Sequence, residues 1–336
     1  MSEIDTVRLA RWIADTVDPA ITSATATRLS NGYSGGAWRI DAGAGDGTRS
    51  YVLKAPGDET MVFRRDLVHE GRALAALHAG GAPVPDVLAI DGDGAAIGRP
   101  CLLMELVPGR GPADEPTSGY HDDPWLHGLG PAGQRAVWAS FYDALAALHS
   151  VDAAAAPEGT VGRGGLAEVL GYWRASLLDV APAGAVPRQL ALLDWLAANR
   201  PPRAEEATAP CMGDARLANA VIAGTEVQAL VDFEVLYLGN PAADVGYSTF
   251  VDQQHRSGAT NPLTGMGTAD EAWDRWGAAT GRATDDRDYW TTFGATIIVV
   301  TATRAMVKWG LAGPDPEAAN PLVAAWEASA SKAGRT

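Results

Sequence analysis

The hydrophobic pattern of this chain breaks at Pro108-Gly109 into a strand-bearing part and a mostly helical part. Before the break, residues 5–17 read as a short amphipathic helix. Residues 29–40 run from a glycine-rich turn, Asn31-Gly32-Tyr33-Ser34-Gly35-Gly36, into alternating apolar positions. Residues 42–48 supply a hairpin-type connection. Ser50-Tyr51-Val52-Leu53-Lys54-Ala55 is rich in strand formers and stops at Pro56. Helical spacing of Phe63, Leu67, Leu74 and Leu77 predicts a helix over 62–79, closed by Gly80-Gly81 with Pro83 and Pro85 beyond. Strands are predicted at 84–90 and 100–106, around the turn Asp91-Gly92-Asp93-Gly94. Strand, turn, strand, helix, strand, strand is an α+β unit on an antiparallel sheet.

Beyond the break, residues 111–133 are rich in Gly, Pro and Asp and read as a loop. Helical patterns follow at 134–149, 166–179, 187–199, 270–279, 287–310 and 318–330, with one short strand pair around 219–232. The expected division is a lobe of residues 1–107 and a helical lobe of residues 108–336. A length of 336 residues suits two lobes.

Composition narrows the class. Two cysteines, Cys101 and Cys211, exclude a dense disulfide framework and fit a reduced cytoplasm. The first residues lack the basic-then-apolar order of a signal peptide. The apolar run 293–300 is far short of the roughly 20 residues a bilayer needs, so it reads as a buried core helix and no membrane partner is expected. Net charge is −15, which argues against nucleic acid as a partner. Residues 1–107 carry 10 basic and 14 acidic side chains (−4), and 108–336 carry 16 and 27 (−11). The acidic excess of the second part serves solubility or draws in a cationic substrate. A monomer or homodimer is expected. Only three lysines (Lys54, Lys308, Lys332) stand against 23 arginines, so a lysine on a strand invites a specific reason.

The segment 211–232 carries the chemistry. Asp214 and Asn219 are five apart on a turn-like stretch, and Asp232 follows the apolar run 227–231. Phosphoryl transfer uses such a set: an Asp near the acceptor hydroxyl, and an Asn and an Asp on the metal that holds the nucleotide phosphates. Arg216 would offset charge on the γ-phosphate or form a local salt bridge, and Glu234 would add a second carboxylate to the metal or reach it through water, with a helix-start acid as the other reading. Lys54 would meet the α- and β-phosphates, with Glu70, sixteen residues on, to orient it. The alternatives are an edge-strand Lys and a solvated helix face. The glycine-rich turn lacks a clean GxGxxG, and Ser34 is its one side chain able to reach a phosphate. The six histidines show no metal pattern and read as surface or packing residues.

In their order and spacing these pieces resemble the aminoglycoside phosphotransferase/choline kinase superfamily, nearest to the kinase-like domain found fused to some acyl-CoA dehydrogenases. The resemblance runs from about Leu29 to Tyr247. Its pieces are 29–40, Tyr51-Val52-Leu53-Lys54, 69–74, Pro83-Val84-Pro85, 103–109, Leu148-His149, 213–219, 231–234 and Asp244-Val245-Gly246-Tyr247. It implies a bilobal protein-kinase-like fold and an enzyme that phosphorylates a small-molecule alcohol from ATP or GTP with Mg2+. It implies Asp214 as base, Asn219 and Asp232 on the metal, and the Glu105 carbonyl and Val107 N–H on the adenine. Asp244 matches the family's structural Asp, which braces the catalytic loop. The acceptor stays open between an aminoglycoside-like antibiotic, an amino alcohol and a hydroxyacyl compound. Only eleven residues separate Asp232 from Asp244, too few for a protein-docking activation segment. Trp125, Tyr172, Trp173 and Trp309 are candidate acceptor-lining residues, with core packing as the other reading. One departure stands out: the family usually has His before Gly-Asp, and here the residue is Met212. It favours the alternative of a nucleotide-binding pseudokinase with a regulatory role.

Overall fold

The computed structural model describes residues 4–29, 36–45, 47–55, 62–205 and 208–335. Helix α1 (Thr6–Thr16) is capped by Asp5, whose carboxylate accepts from Val7 and Arg8. Strands β1 (Ile21–Arg28), β2 (Ala37–Ala44) and β3 (Gly47–Lys54) follow. Helix α2 (Leu67–Ala79) then leads to β4 (Val87–Asp91) and β5 (Cys101–Glu105). The five strands form one antiparallel sheet in the order β1-β2-β3-β5-β4.

Two details differ from the sequence expectation here. Strand β1 was not anticipated, because its Thr, Ser and Ala positions give little apolar contrast. It is an edge strand, paired to β2 from Ile21↔Ala44 to Arg28↔Trp38. The second helix starts at Leu67 rather than 62, because the Asp66 side chain accepts the His69 N–H at 3.0 Å and sets the helix start.

The region beyond residue 108 is mainly helical. It holds α3 (Pro124–Gly128), α4 (Gly130–Leu148), α5 (Leu166–Leu178), α6 (Pro187–Ala198), α7 (Ala242–Gly258), α8 (Ala269–Thr280), α9 (Arg287–Lys308), α10 (Pro316–Ala319) and α11 (Val323–Lys332). Two small antiparallel ribbons interrupt them: β6 (Ala209–Cys211) with β9 (Tyr237–Gly239), and β7 (Ala220–Ala223) with β8 (Glu226–Leu230). The stretch expected as a loop over 111–133 contains α3 and the start of α4. Asp123 caps α3 by accepting the Trp125 N–H at 2.8 Å, and Pro124 occupies the first turn. The helix expected over 318–330 is two, because Asn320 turns inward and donates to the Val299 carbonyl and the Thr303 hydroxyl.

Alternation along β5 divides the interior. Leu102 and Met104 join the large core that runs through the helical region, and Cys101 and Leu103 join a smaller core under α1. Helix α9 is long and apolar enough to cross a membrane, but 61% of its apolar window is buried against other elements, as expected for a core helix. Its main partner is α7, which had not been anticipated. Ala242 to Val251 are all buried, so α7 shows no amphipathic stripe. Glycine lets the two helices touch: a Cβ at Gly246 would lie 2.3 Å from the Trp290 carbonyl oxygen, and one at Gly294 2.3 Å from the Tyr247 nitrogen.

Candidate active site

Lys54 ends β3, and its ammonium joins three elements distant in sequence. It donates to Glu70 Oε1 of α2 at 2.6 Å and to Asp232 Oδ1 at 2.9 Å. Burial alone would lower the Lys54 pKa, but Asp232 and Glu70 outweigh it and hold the ammonium above the ordinary lysine range. Asp232 shows the complement: burial acts to raise it, and Lys54 holds it below the ordinary carboxylate range. Asp232 adopts φ +69, a left-handed conformation that costs a non-glycine residue about 1–2 kcal/mol. Its carboxylate thereby meets Lys54 immediately after β8, while the preceding Val231 N–H is tied to the Asn219 carbonyl at 2.9 Å.

Arg65, which the sequence reading missed, connects the two remaining carboxylates. It lies 3.3 Å from Glu70 Oε2 and 2.8 Å from Glu234 Oε2. The Glu234 contact is close but poorly aligned for a hydrogen bond. Burial, reinforced by Asp232, pushes the Glu234 carboxyl up to about 8. Nothing in the sequence around Arg65 signals this role, which depends on the approach of α2 to the 232–234 segment.

Asp214 sits in a second knot. Gly213 precedes it at φ +80, and a Cβ there would lie 2.6 Å from the Val235 carbonyl oxygen, so this turn requires glycine. The Asn219 amide nitrogen donates to the Asp214 carbonyl at 3.0 Å and to Asp214 Oδ2 at 2.9 Å. Both targets are acceptors, so the Asn219 NH2 faces them and its Oδ1 is left for another partner. Arg216 Nε lies 3.0 Å from Asp214 Oδ1, and Arg216 Nη1 2.8 Å from Asp114 Oδ1. Burial would lower the guanidinium's pKa, but Asp214 and Asp114 keep it firmly charged. Burial and the charges of Asp214 and Asp232 raise the Asp114 carboxyl, with Arg216 opposing.

A buried brace stands behind this knot. Asp244 accepts the Met212 N–H at 2.6 Å, the Gly213 N–H at 3.0 Å and His149 Nε2 at 3.1 Å. The Trp276 indole N–H donates to His149 Nδ1 at 2.9 Å. An indole only donates, so His149 Nδ1 carries no proton and Nε2–H is the donor to Asp244. His149 is therefore neither a surface nor a simple packing residue. Its place at the end of an apolar helix, Leu145 to Leu148, was the available signal.

Glu105 is the last residue of β5, with its N–H on the Asp86 carbonyl at 3.0 Å. Val107 follows on the connection toward the helical region. Ser34 and the turn around it lie outside the described residues. Among the proposed lining aromatics, Trp173 is core, and the Tyr172 hydroxyl donates to the Phe63 carbonyl at 2.7 Å. Trp125 lies under the Arg110 guanidinium, 4.6 Å from ring centre to charge, and Trp309 is half exposed at the end of α9. Among the described residues no three His, Cys, Asp or Glu side chains form a metal cluster.

The profile of the Phosphotransferase enzyme family matches residues 25–286. This chain belongs to that family. It has the antiparallel N-terminal sheet and helical C-terminal region of the kinase-like fold. The phosphotransferase is 32% identical over 205 residues to the mouse acyl-CoA dehydrogenase family member 10, covering 60% of this chain and 18% of the relative. It is 32% identical over 212 residues to the chicken acyl-CoA dehydrogenase family member 11, covering 60% of this chain and 25% of the relative. The match thus spans a quarter or less of those relatives' length. Among solved structures, a Ralstonia eutropha protein assigned as an aminoglycoside phosphotransferase superposes with a TM-score of 0.72 at 21% identity, covering 98% of this chain and 99% of that one. Aminoglycoside phosphotransferase APH(4)-Ia, in complex with AMP-PNP and hygromycin B, superposes with a TM-score of 0.61 at 14% identity, covering 96% and 99%. These two likenesses concern the fold.

Proposed function

We propose that this phosphotransferase moves the γ-phosphoryl group of ATP or GTP onto a hydroxyl of a small molecule, with Asp214 as general base. One observation carries the reading: Lys54 from the N-terminal sheet meets Asp232 from the helical region at 2.9 Å, while Asn219 joins Asp232's neighbour Val231 to Asp214. The division of labour assigns residues 1–107 to the nucleotide and 108–336 to catalysis and acceptor. Lys54, oriented by Glu70, neutralises the α- and β-phosphates. The Glu105 carbonyl and Val107 N–H take the adenine edge, and Ser34 a phosphate.

Asn219 Oδ1 and the Asp232 carboxylate are oxygen donors of the kind Mg2+ selects. The ion, when bound, supplies charge neutralisation between the phosphates. Glu234 would join this set through Oε1, since Oε2 faces Arg65. Asp214 holds the acceptor hydroxyl in line and takes its proton as the new O–P bond forms. The bond from the γ-phosphorus to the bridging oxygen breaks, and the nucleoside diphosphate leaves. Arg216, shared between Asp214 and Asp114, offsets the charge on the transferred group.

For the acceptor, the acyl-CoA dehydrogenase relatives support a hydroxyacyl compound, and the solved structures support an aminoglycoside-like or amino-alcohol substrate. The pseudokinase alternative is not favoured, because Met212 serves the brace through its backbone. The test is a screen of these three acceptor classes with Mg-ATP and Mg-GTP, using wild type and Asp214→Asn. Transfer by wild type and a loss of about 100- to 10,000-fold in the variant, with nucleotide affinity kept, is expected. Equal turnover in the two proteins would remove Asp214 from its role.

A further inference from the structure

Asp244 and Tyr247 are three apart on α7 and share one face of it. Asp244 holds the backbone of the catalytic segment at Met212 and Gly213. Tyr247 reaches the same segment by its side chain, and its hydroxyl donates to Asp214 Oδ1. The ring is buried at 1% exposure. Its backbone has little freedom, because α9 touches α7 at Gly246 and Gly294. Burial, and then the Asp214 charge, push the phenol well above its ordinary range, with Arg216 opposing and Asp114 adding to the rise. The hydroxyl therefore keeps its proton and remains a donor to the carboxylate.

The two oxygens of Asp214 are thus held differently. Oδ1 receives the Tyr247 hydroxyl and faces the Arg216 charge at 3.0 Å. Among the described residues Oδ2 receives one donor, the Asn219 amide, at 2.9 Å. A carboxylate oxygen accepts two hydrogen bonds, so Oδ2 keeps an open lone pair. We propose that Tyr247 is a positioning residue for the transfer step: by occupying Oδ1 it sets the rotation of the Asp214 carboxylate and presents Oδ2 to the acceptor hydroxyl. This rests on Asp214 being the base. Misplacing a reacting group costs rate more than binding, so the effect belongs in kcat.

The experiment uses water as acceptor, which avoids dependence on the acceptor's identity. ADP release from ATP is measured at saturating MgCl2 for wild type, Tyr247→Phe, Ser248→Ala and Asp214→Asn. Ser248 is the next residue on the helix, and among the described residues its side chain bonds the Tyr142 hydroxyl, at 3.1 Å, so its variant tests a perturbation of α7 that leaves Asp214 untouched. Tyr247→Phe is expected to lower kcat about ten- to a hundredfold, the size of a hydrogen bond to a charged group, with KM for ATP within about twofold. Ser248→Ala is expected to match wild type. Calorimetric titration with ATP should show all four proteins binding. The inference is overturned if Tyr247→Phe keeps its kcat, if its loss lies in KM, or if Ser248→Ala falls as far. Asp214→Asn separates the two readings. If it turns over like wild type, the base assignment fails and takes this inference with it. If it falls while Tyr247→Phe does not, only the inference fails.

Discussion

The backbone N–H of Met212 lies 2.6 Å from Asp244 Oδ2, in the interior of the helical region. The brace on the 212–214 segment therefore comes from the main chain of residue 212, which every residue but proline supplies. Met212 itself is fully buried among apolar neighbours. Met212, where the resemblance led to the expectation of a histidine, is thus a packing residue at a place where the hydrogen bond needs no side chain. The imidazole in this brace is His149, contributed by the end of α4.

Met212→Leu should accordingly keep turnover within about twofold, since a volume-conserving apolar swap costs little. Asp244→Asn should not be tolerated. Its three partners, Met212 N–H, Gly213 N–H and His149 Nε2–H, all donate, and an amide NH2 would face one of them. A loss of about 1–3 kcal/mol in denaturant stability is expected, with a fall in kcat. Equal stability of Asp244→Asn and wild type in urea titrations would contradict the donor assignment.

Lys54→Met should weaken ATP binding more than tenfold and also lower stability by about 3 kcal/mol. The side chain of Glu70 is 3% exposed and that of Asp232 25%, and both carboxylates would lose the ammonium that joins them. Calorimetric titration and urea unfolding check the two parts. A variant with unchanged nucleotide affinity would count against a phosphate role for Lys54.

His255 gives a pH signature. Burial, then Arg216 and His121, push its imidazole from 6.5 down to about 4. Between those values the unfolded chain takes up a proton that the folded chain refuses. Stability from this residue is therefore complete above about pH 6.5 and is lost as pH falls toward 4, up to about 3 kcal/mol at about 1.4 per pH unit. His255→Gln should flatten that part of the curve. Unfolding free energies at pH 7.5 and 4.5 are compared for both proteins, and parallel declines would show that another group is responsible.

Gly246→Ala adds a methyl group that would sit 2.3 Å from the Trp290 carbonyl oxygen, so α7 and α9 must part. A loss of about 1–3 kcal/mol is expected, with a drop in kcat because α7 carries Asp244 and Tyr247. Gly171→Ala serves as the control, since a Cβ there meets nothing within 4 Å. Similar unfolding midpoints for the two variants would refute the close-approach argument.

The elements with strong apolar contrast were legible in the sequence. Helices α1, α2, α4, α5, α6, α8 and α9 and strands β3, β4 and β5 were all anticipated, with ends adjusted by caps such as Asp66 on α2. Asp123-Pro124 was an available start signal for α3 that the surrounding Gly and Pro residues obscured. Helix α7 escaped because burial on every side removes the stripe that periodicity detects. Strand β1 escaped for the opposite reason, since small polar side chains on an edge strand carry almost no contrast.

By itself the sequence determined the α+β order of elements, the turn chemistry at Gly213-Asp214, and the presence of Lys54, Asp214, Asn219 and Asp232 in chain order. These depend on local conformation and on side-chain chemistry within short segments. The tertiary structure alone decided that Lys54 and Asp232, 178 residues apart, share an ion pair. It also decided that Arg65 links Glu70 to Glu234, that His149 and Trp276 stand behind Asp244, and that Tyr247 holds the Asp214 carboxylate. Each of those relationships requires two elements to pack at a particular distance. That distance is set by glycines and core volumes spread over the whole chain rather than by any one motif.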